Sequence, residues 1–252
     1  MSLLLEIARC KHVESCLNSV NSQNKCNQIV QYQAKTLAHF QVPEPWSGNL
    51  KTAPILFLGS NPSISTSDNP DYREKYPSWS WSDSEIEDFF SNRFGDGKKL
   101  WIKDGIYTLL ESGNHKKKYV RYLAAIRKRA EELLGRRVKP GEDYVNSEVV
   151  HCKSKGESGV KEASETCIEL YLRRIIAESG AKVIVCLGDF AERAVRNEFK
   201  ISGIPEPITI CEIERLFVFL PHPNARKPRK FSSADIERIR EILKINTTKY
   251  QD

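Results

Sequence analysis

Long apolar runs are missing from this chain. Among its 252 residues there is no stretch of ~18 consecutive apolar side chains, so no membrane-spanning helix is predicted. The opening residues Met1 to Arg9 carry Glu6 and Arg9 too early for a secretion signal and lack a small-residue cleavage site, so none is expected. Seven cysteines, an odd number at irregular spacing, do not make a secreted disulfide framework. A reducing, cytoplasmic setting is the expectation. No internal repeat is found, and neither Gly59 nor Gly188 belongs to a Gly-x-Gly-x-x-Gly fingerprint, which argues against a nucleotide-processing enzyme of the dinucleotide-binding type. Charge of one sign is also scarce: 39 Lys and Arg against 33 Asp and Glu leave +6, with a pI near 8.9. The placement of that excess matters more than its size. Much of it lies in 115–139 and in Arg226, Lys227, Arg229 and Lys230. The first cluster reads as a solvated helix face, whereas the second follows closely on His222.

What is present suffices for one sizeable core, since 40% of the residues are hydrophobic. Helical spacing of apolar positions over 3–19 and 26–40 predicts two helices ahead of the first strand, 54–58. Residues 63–83, rich in Ser, Pro and aromatics, read as a long loop. A helix capped by Ser84 and a basic helix over 117–134 follow. Further strands are predicted at 144–150, 182–187, 208–211 and 216–220, with helices at 163–179, 189–199 and 232–245. This alternation predicts an α/β fold, a three-layer α/β/α sandwich around a mostly parallel four-stranded sheet. It would form a single domain over 1–252, with a helical N-terminal extension (1–45) and an insertion (64–140).

Two apolar runs end in tight turns that each carry one polar side chain. Pro54 to Leu58 leads into Gly59-Ser60-Asn61-Pro62-Ser63, and Phe219-Leu220 leads into Pro221-His222-Pro223-Asn224. Beyond the carboxyl edge of a parallel sheet, both tips can reach one crevice. An amide and an imidazole there suit hydrolysis of a bond whose leaving group needs a hydrogen-bond donor. An amide cannot serve as a general base, so Asn61 can do no more than position a water.

These motifs resemble those of the uracil-DNA glycosylase superfamily. Residues 59–63 match its first motif in the Gly-x-Asn-Pro form, and His222-Pro223-Asn224 resembles the second, usually His-Pro-Ser. Glu148 to Cys152, the helix around Cys167, and 182–191 parallel the segment that joins the motifs in the iron–sulfur branches. The resemblance covers about 54–240 and is poor over 64–140. It implies a DNA glycosylase, a monomer acting on DNA, in which Asn61 orients a water and His222 donates to O2 of the departing base. Tyr76, Trp79 and Trp81 are candidates to stack on the flipped base. Asn224 and Ala225 would enter the duplex, with Arg226, Lys227, Arg229 and Lys230 on phosphates and Ser63 also among the DNA contacts.

One position departs from the pattern. Where the iron–sulfur branches read roughly Thr-Asn-x-Val-Lys-Cys, this chain has Ser147 to Cys152, with Glu148 in place of the base-reading Asn. An ionised Glu148 only accepts, which disfavours O4 of uracil and favours the exocyclic amine of cytosine. The expected substrate is therefore cytosine or a modified cytosine, in repair or in defence against phage with modified DNA. Asn146 keeps uracil open through a register shift, and a binding module without activity is the other alternative. For a 4Fe-4S cluster, which the resemblance implies as a structural group and the chemistry does not require, Cys152 and Cys167 fit two ligand positions, with Cys10 and Cys16 as the N-terminal candidates. Buried thiols without metal are the other reading.

Overall fold

Parallel strands covered on both faces read as unbroken apolar runs, and Ile55–Gly59 and Val183–Leu187 are such runs, buried at every residue. In the computed structural model, which describes residues 1–18, 23–33, 36–64, 69–95, 100–225 and 230–245, they lie side by side at the centre of a six-stranded mixed sheet. In chain order the elements are α1 (Leu3–Ala8), α2 (Lys11–Asn18), α3 (Asn27–Gln33), β1 (Trp46–Ser47), β2 (Ile55–Gly59), α4 (Asp83–Ser91), β3 (Ile102–Lys103), β4 (Tyr107–Thr108), α5 (Arg121–Leu134), β5 (Tyr144–Glu148), α6 (Val160–Cys167), α7 (Arg173–Glu178), β6 (Val183–Leu187), α8 (Asp189–Phe199), β7 (Ile208–Ile210), β8 (Ile213–Leu220) and α9 (Ser233–Ile242).

The sheet order is β1-β5-β2-β6-β8-β7. Its four inner strands are parallel, with Gly59 opposite Glu148, Leu58 opposite Cys186 and Leu187 opposite Leu220. Edge strands β1 and β7 run antiparallel to their neighbours, so the sheet is wider and more mixed than the four strands expected. A two-residue strand such as β1 has no pattern of its own. Its place is fixed by the partner, Trp46 against Ser147 and Ser47 against Asn146.

Alternation along each strand divides the interior in two. Ile55, Phe57, Val183, Val185, Leu216 and Val218 pack under α5 and α9, through Ile126, Leu133 and Ile239. On the opposite face Leu56, Leu58, Ile184, Cys186 and Phe217 meet the remaining large helices. No described helix is long and apolar enough to cross a membrane.

Several predicted boundaries move for local reasons. The first helix is two, broken at Arg9 and Cys10, and the second ends at Gln33 before a single 3-10 turn, Leu37–His39. Ser82, not Ser84, caps α4, in a reciprocal capping box with Glu85. The basic helix begins at Arg121, leaving Lys116, Lys117 and Lys118 exposed in the preceding loop. Among the described residues the insertion contains α4, the β3–β4 hairpin and α5.

Phe57 is wholly buried and meets Tyr144 edge-on, with ring centroids 5.7 Å apart. Phe57→Ala is expected to cost about 3–5 kcal/mol through the cavity it leaves. A urea midpoint within error of wild type would contradict that placement of the core.

Candidate functional site

Beyond the carboxyl ends of the parallel strands, where β5 and β6 flank β2 on opposite sides, lies a cleft of about 250 Å³. Open α/β sheets hold ligands at such a switch point. Asn61 from the loop after β2 and His222 from the turn after β8 both line it, as do Asn146 and Glu148 of β5 and Tyr122 of α5. Two loop tips far apart in the chain therefore share one cavity.

The Asn61 loop is held by a continuation of the β2–β5 ladder past the strand ends. The N–H groups of Val149, Val150 and Ser154 donate to the carbonyls of Gly59 (3.0 Å), Ser60 (2.9 Å) and Pro62 (3.0 Å). The Asn61 amide nitrogen donates to Ser154 Oγ at 2.9 Å and to the Pro62 carbonyl at 3.0 Å. Its hydrogens are thereby placed, and its carbonyl Oδ1 is oriented, with no partner among the described residues.

His222 is fixed by different means. The backbone N–H of Asn224 donates to Nδ1 at 3.2 Å, and the ring stacks on Tyr122 with centroids 5.7 Å apart and planes at 24°. Gly188, at φ +92, lets the turn approach, since a Cβ there would come within 3.2 Å of His222 Cβ. Burial lowers the His222 pKa against the opposing charge of Glu157. The neutral ring, with Nδ1 accepting, carries its hydrogen on Nε2.

Asn146 and Glu148, two residues apart on β5, face the cleft together and are each only 5% exposed. Asn146 Oδ1 and Glu148 Oε2 are buried without a hydrogen-bond partner among the described residues. The Tyr122 hydroxyl donates to Glu148 Oε1 at 3.4 Å. A Cβ on Gly59 would collide with Glu148 Oε2 and lie 2.6 Å from Tyr122 Oη, so a glycine is required where strand and carboxyl cross. Burial, reinforced by the charge of Glu44, pushes the Glu148 carboxyl well above the ordinary carboxylate range. The expectation of an ionised, accept-only Glu148 therefore meets an environment that favours the protonated form, which has an O–H to donate.

Charge fills the far end of the cleft. Arg93 donates to Glu44 Oε1 at 2.6 Å, to Ser47 Oγ at 2.7 Å and to Glu74 Oε1 at 2.9 Å. Lys153, 3% exposed, holds its ammonium 3.4 Å from the Tyr76 ring centroid. Burial works to raise the Glu44 carboxyl, but Arg93 and Lys153 hold it below its ordinary value. Burial also lowers the pKa of Lys153, against the pull of Glu74 and Glu44.

Tyr76, Trp79 and Trp81, the expected base-stacking residues, lie outside the cleft lining. Tyr76 is buried against Phe89 and Phe90 with its hydroxyl on Glu44. Trp79 packs on Phe40 and under Arg9, and Trp81 on Phe89 and Trp101. The aromatic side chain in the cleft is Tyr122, hidden from sequence reading inside a basic amphipathic helix. Glu44 and Arg93 were also missed, although Pro43-Glu44-Pro45 repeats the Pro-polar-Pro signal that drew attention to His222. Ser63 lies exposed on the rim, and Asn224, Ala225 and Lys230 are exposed. Arg226, Lys227 and Arg229 fall outside the described residues.

Four thiols converge elsewhere. Cys10, Cys26, Cys152 and Cys167 line one small apolar cavity between the N-terminal helices, the end of β5 and α6, and Cys16 is not part of that lining. Burial, helped by the neighbouring thiols, pushes Cys26 and Cys167 up to about 12 and Cys152 well up. Among the described residues no three His, Cys, Asp or Glu side chains are set to hold a single metal ion. No protein-family profile matches the chain, and no curated protein matches it.

Because folded Glu148 keeps its proton to higher pH than the unfolded chain does, its contribution to stability falls as pH rises above the ordinary carboxylate pKa. The slope is at most about 1.4 kcal/mol per pH unit and ends once the folded group ionises. Glu148→Gln lacks this loss. Its urea midpoint is expected to gain on that of wild type between pH 4 and pH 8, and a constant difference would refute the raised Glu148 pKa.

Proposed function

We propose that this protein is a monomeric DNA glycosylase of the uracil-DNA glycosylase superfamily that hydrolyses the N-glycosidic bond of a flipped-out cytosine-type base. The observation that carries the reading is Asn61 and His222 on the lining of one cleft, each with its catalytic atom oriented by its own backbone or neighbour. The parallel order β5-β2-β6-β8 with helices on both faces supports the corresponding sandwich fold.

Breaking the C1′–N1 bond leaves positive character on the sugar and negative charge on the base. The oriented Asn61 carbonyl accepts from a water and aims its oxygen at C1′. The His222 Nε2–H donates to O2 of the base, an oxyanion-hole role that needs a neutral ring with its hydrogen on that nitrogen. Water attack forms the C1′–O bond as the C1′–N1 bond breaks; one proton of the water stays on the new hydroxyl and the other leaves to solvent, which protonates the departing base anion. Extruding the base costs a few kcal/mol, offset by contacts within the cleft.

The polar pair on β5 favours cytosine. With Oε1 taken by Tyr122, the proton of neutral Glu148 sits on Oε2 and donates to N3, while Asn146 Oδ1 accepts from the exocyclic amine. Uracil presents the reverse pattern, N3–H and O4. Cytosine bound in this way satisfies two buried groups that otherwise go unpaired, each worth about 1–3 kcal/mol. Removal of modified bases from phage DNA is as natural a setting for this chemistry as repair.

Single-turnover assays on duplexes carrying uracil or cytosine-type bases test the reading. Excision should leave an alkali-labile abasic site. His222→Ala and Asn61→Ala should each slow it by about 10²–10³-fold, and Glu148→Asn should shift the base preference toward uracil. Retention of DNA without strand cleavage after alkali would mark a binding module instead. Efficient uracil release with no action on any cytosine would overturn the base assignment.

The same reading gives Cys10, Cys26, Cys152 and Cys167 a structural 4Fe-4S cluster that would pin the N-terminal helices to β5 and take no part in hydrolysis. Protein purified without oxygen should contain iron and absorb in the visible. Cys26→Ser should lose both signals and Cys16→Ser should keep them. Absence of iron from wild type would refute the assignment.

A further inference from the structure

An enzyme that removed unmodified cytosine would attack every G·C pair in its own cell's DNA. The hydrogen-bonding groups on β5 cannot prevent this, because they read ring positions that plain and substituted cytosine share. Discrimination has to come from another part of the cleft, and its charged end is unexplained by the chemistry at C1′.

We propose that the recess formed by Glu44, Glu74, Arg93 and Lys153, with Ser47 and Thr108, receives a neutral, hydroxyl-rich substituent carried on C5 of the base. This rests on the glycosylase reading and names its substrate class. The functional groups follow the carboxyl edge of the sheet in order: His222 after β8, Asn61 after β2, Glu148 on β5, and Ser47 on β1. Strands are spaced about 4.8 Å apart, so the recess beside β1 lies about 10 Å from the Asn61 loop. That is beyond the reach of a bare pyrimidine and within reach of a group attached to it. In the proposed pose N3 and the amine face β5, and a substituent on the amine would crowd that edge. Of the two ring carbons that bear hydrogen, C6 adjoins N1 and the sugar, so C5 is the exit on the side away from C1′.

The chemistry of the recess selects the substituent. Two carboxylates and two cations make it neutral as a whole, so a charged group gains nothing by entering. Acceptors and donors alternate at close range, Glu44 and Glu74 both on Arg93. This suits hydroxyl groups, which donate and accept at once. Lys153 makes no ion pair among the described residues, so its ammonium hydrogens are available, and Thr108 is buried on the cleft lining. Buried ion pairs of this kind are weak stabilisers compared with apolar packing, and here they sit on a cavity.

The test separates recognition from chemistry by using His222→Ala, which holds DNA without processing it. Its affinity is measured by anisotropy for duplexes that differ at one position: cytosine, 5-hydroxymethylcytosine or glucosylated 5-hydroxymethylcytosine. The glucosylated duplex should bind at least about tenfold tighter than the plain one, about 1.4 kcal/mol, with the hydroxymethyl duplex between them. Adding Glu74→Gln, or independently Thr108→Val, should reduce that ratio to about threefold or less, with folding checked by thermal melting. Equal or weaker binding of the glucosylated duplex, or a ratio that both added variants retain, overturns the proposal. Wild-type excision on the same duplexes tells the two readings apart. Release of none of the bases counts against the glycosylase alone, and equal rates on plain and substituted cytosine count against the recess alone.

Discussion

The structure turns on one strand that breaks the rule its neighbours obey. β5 is buried on both faces along its whole length, yet Asn146, Ser147 and Glu148 occupy its last three positions. A strand in that place would be most stable as an apolar run like β2 or β6. Ser147 is satisfied by the Pro45 carbonyl at 2.6 Å, whereas Asn146 and Glu148 each keep one buried oxygen without a partner among the described residues. Polar groups desolvated in this way cost stability unless something supplies the missing bond. Local rules that fail without an internal compensation are where function is expected.

The rest of the cleft is arranged around that strand. Gly59 lacks the side chain that would displace Glu148 and Tyr122, and Gly188 leaves room for His222. The ladder from β5 into 149–154 carries Ser154 to Asn61. Tyr122 links the two halves of the site, donating to Glu148 while its ring stacks on His222. On the β1 side His151 and Glu44 are joined through backbone, the Glu44 N–H donating to the His151 carbonyl at 2.8 Å and the Glu44 carbonyl lying 2.7 Å from His151 Nδ1. The charged recess is thereby tied to the segment that continues β5, the strand that carries Asn146 and Glu148.

Much of the scaffold was legible because its signals are local. Apolar runs of strand length ending in Gly-x-Asn-Pro and Pro-His-Pro mark the strand ends and the tips, and both tips line one cleft. Short-range cues failed where the partner was distant. β1 exists only because β5 offers it hydrogen bonds. Tyr76, Trp79 and Trp81 looked like binding aromatics, but aromatic rings bury well, and these three went into the apolar layer around Phe89 or Phe40. The choice between Cys16 and Cys26 beside Cys10 depends on how the N-terminal helices fold over α6, which spacing along the chain does not express.

By itself the sequence determined the alternation of strands and helices, the two polar tips and the presence of a glutamate where an amide was expected. Hydrophobic period and turn chemistry act over a few residues, so they can be read in one dimension. Only the tertiary structure decided that this glutamate is buried where its carboxyl pKa is raised, that Tyr122 rather than the tryptophans reaches the cleft, and that Glu44, Glu74, Arg93 and Lys153 meet at its end. Ionisation and pairing of that kind depend on the dielectric and the charges within a few ångströms, and those neighbours, such as Glu44 and Lys153, come from distant segments of the chain.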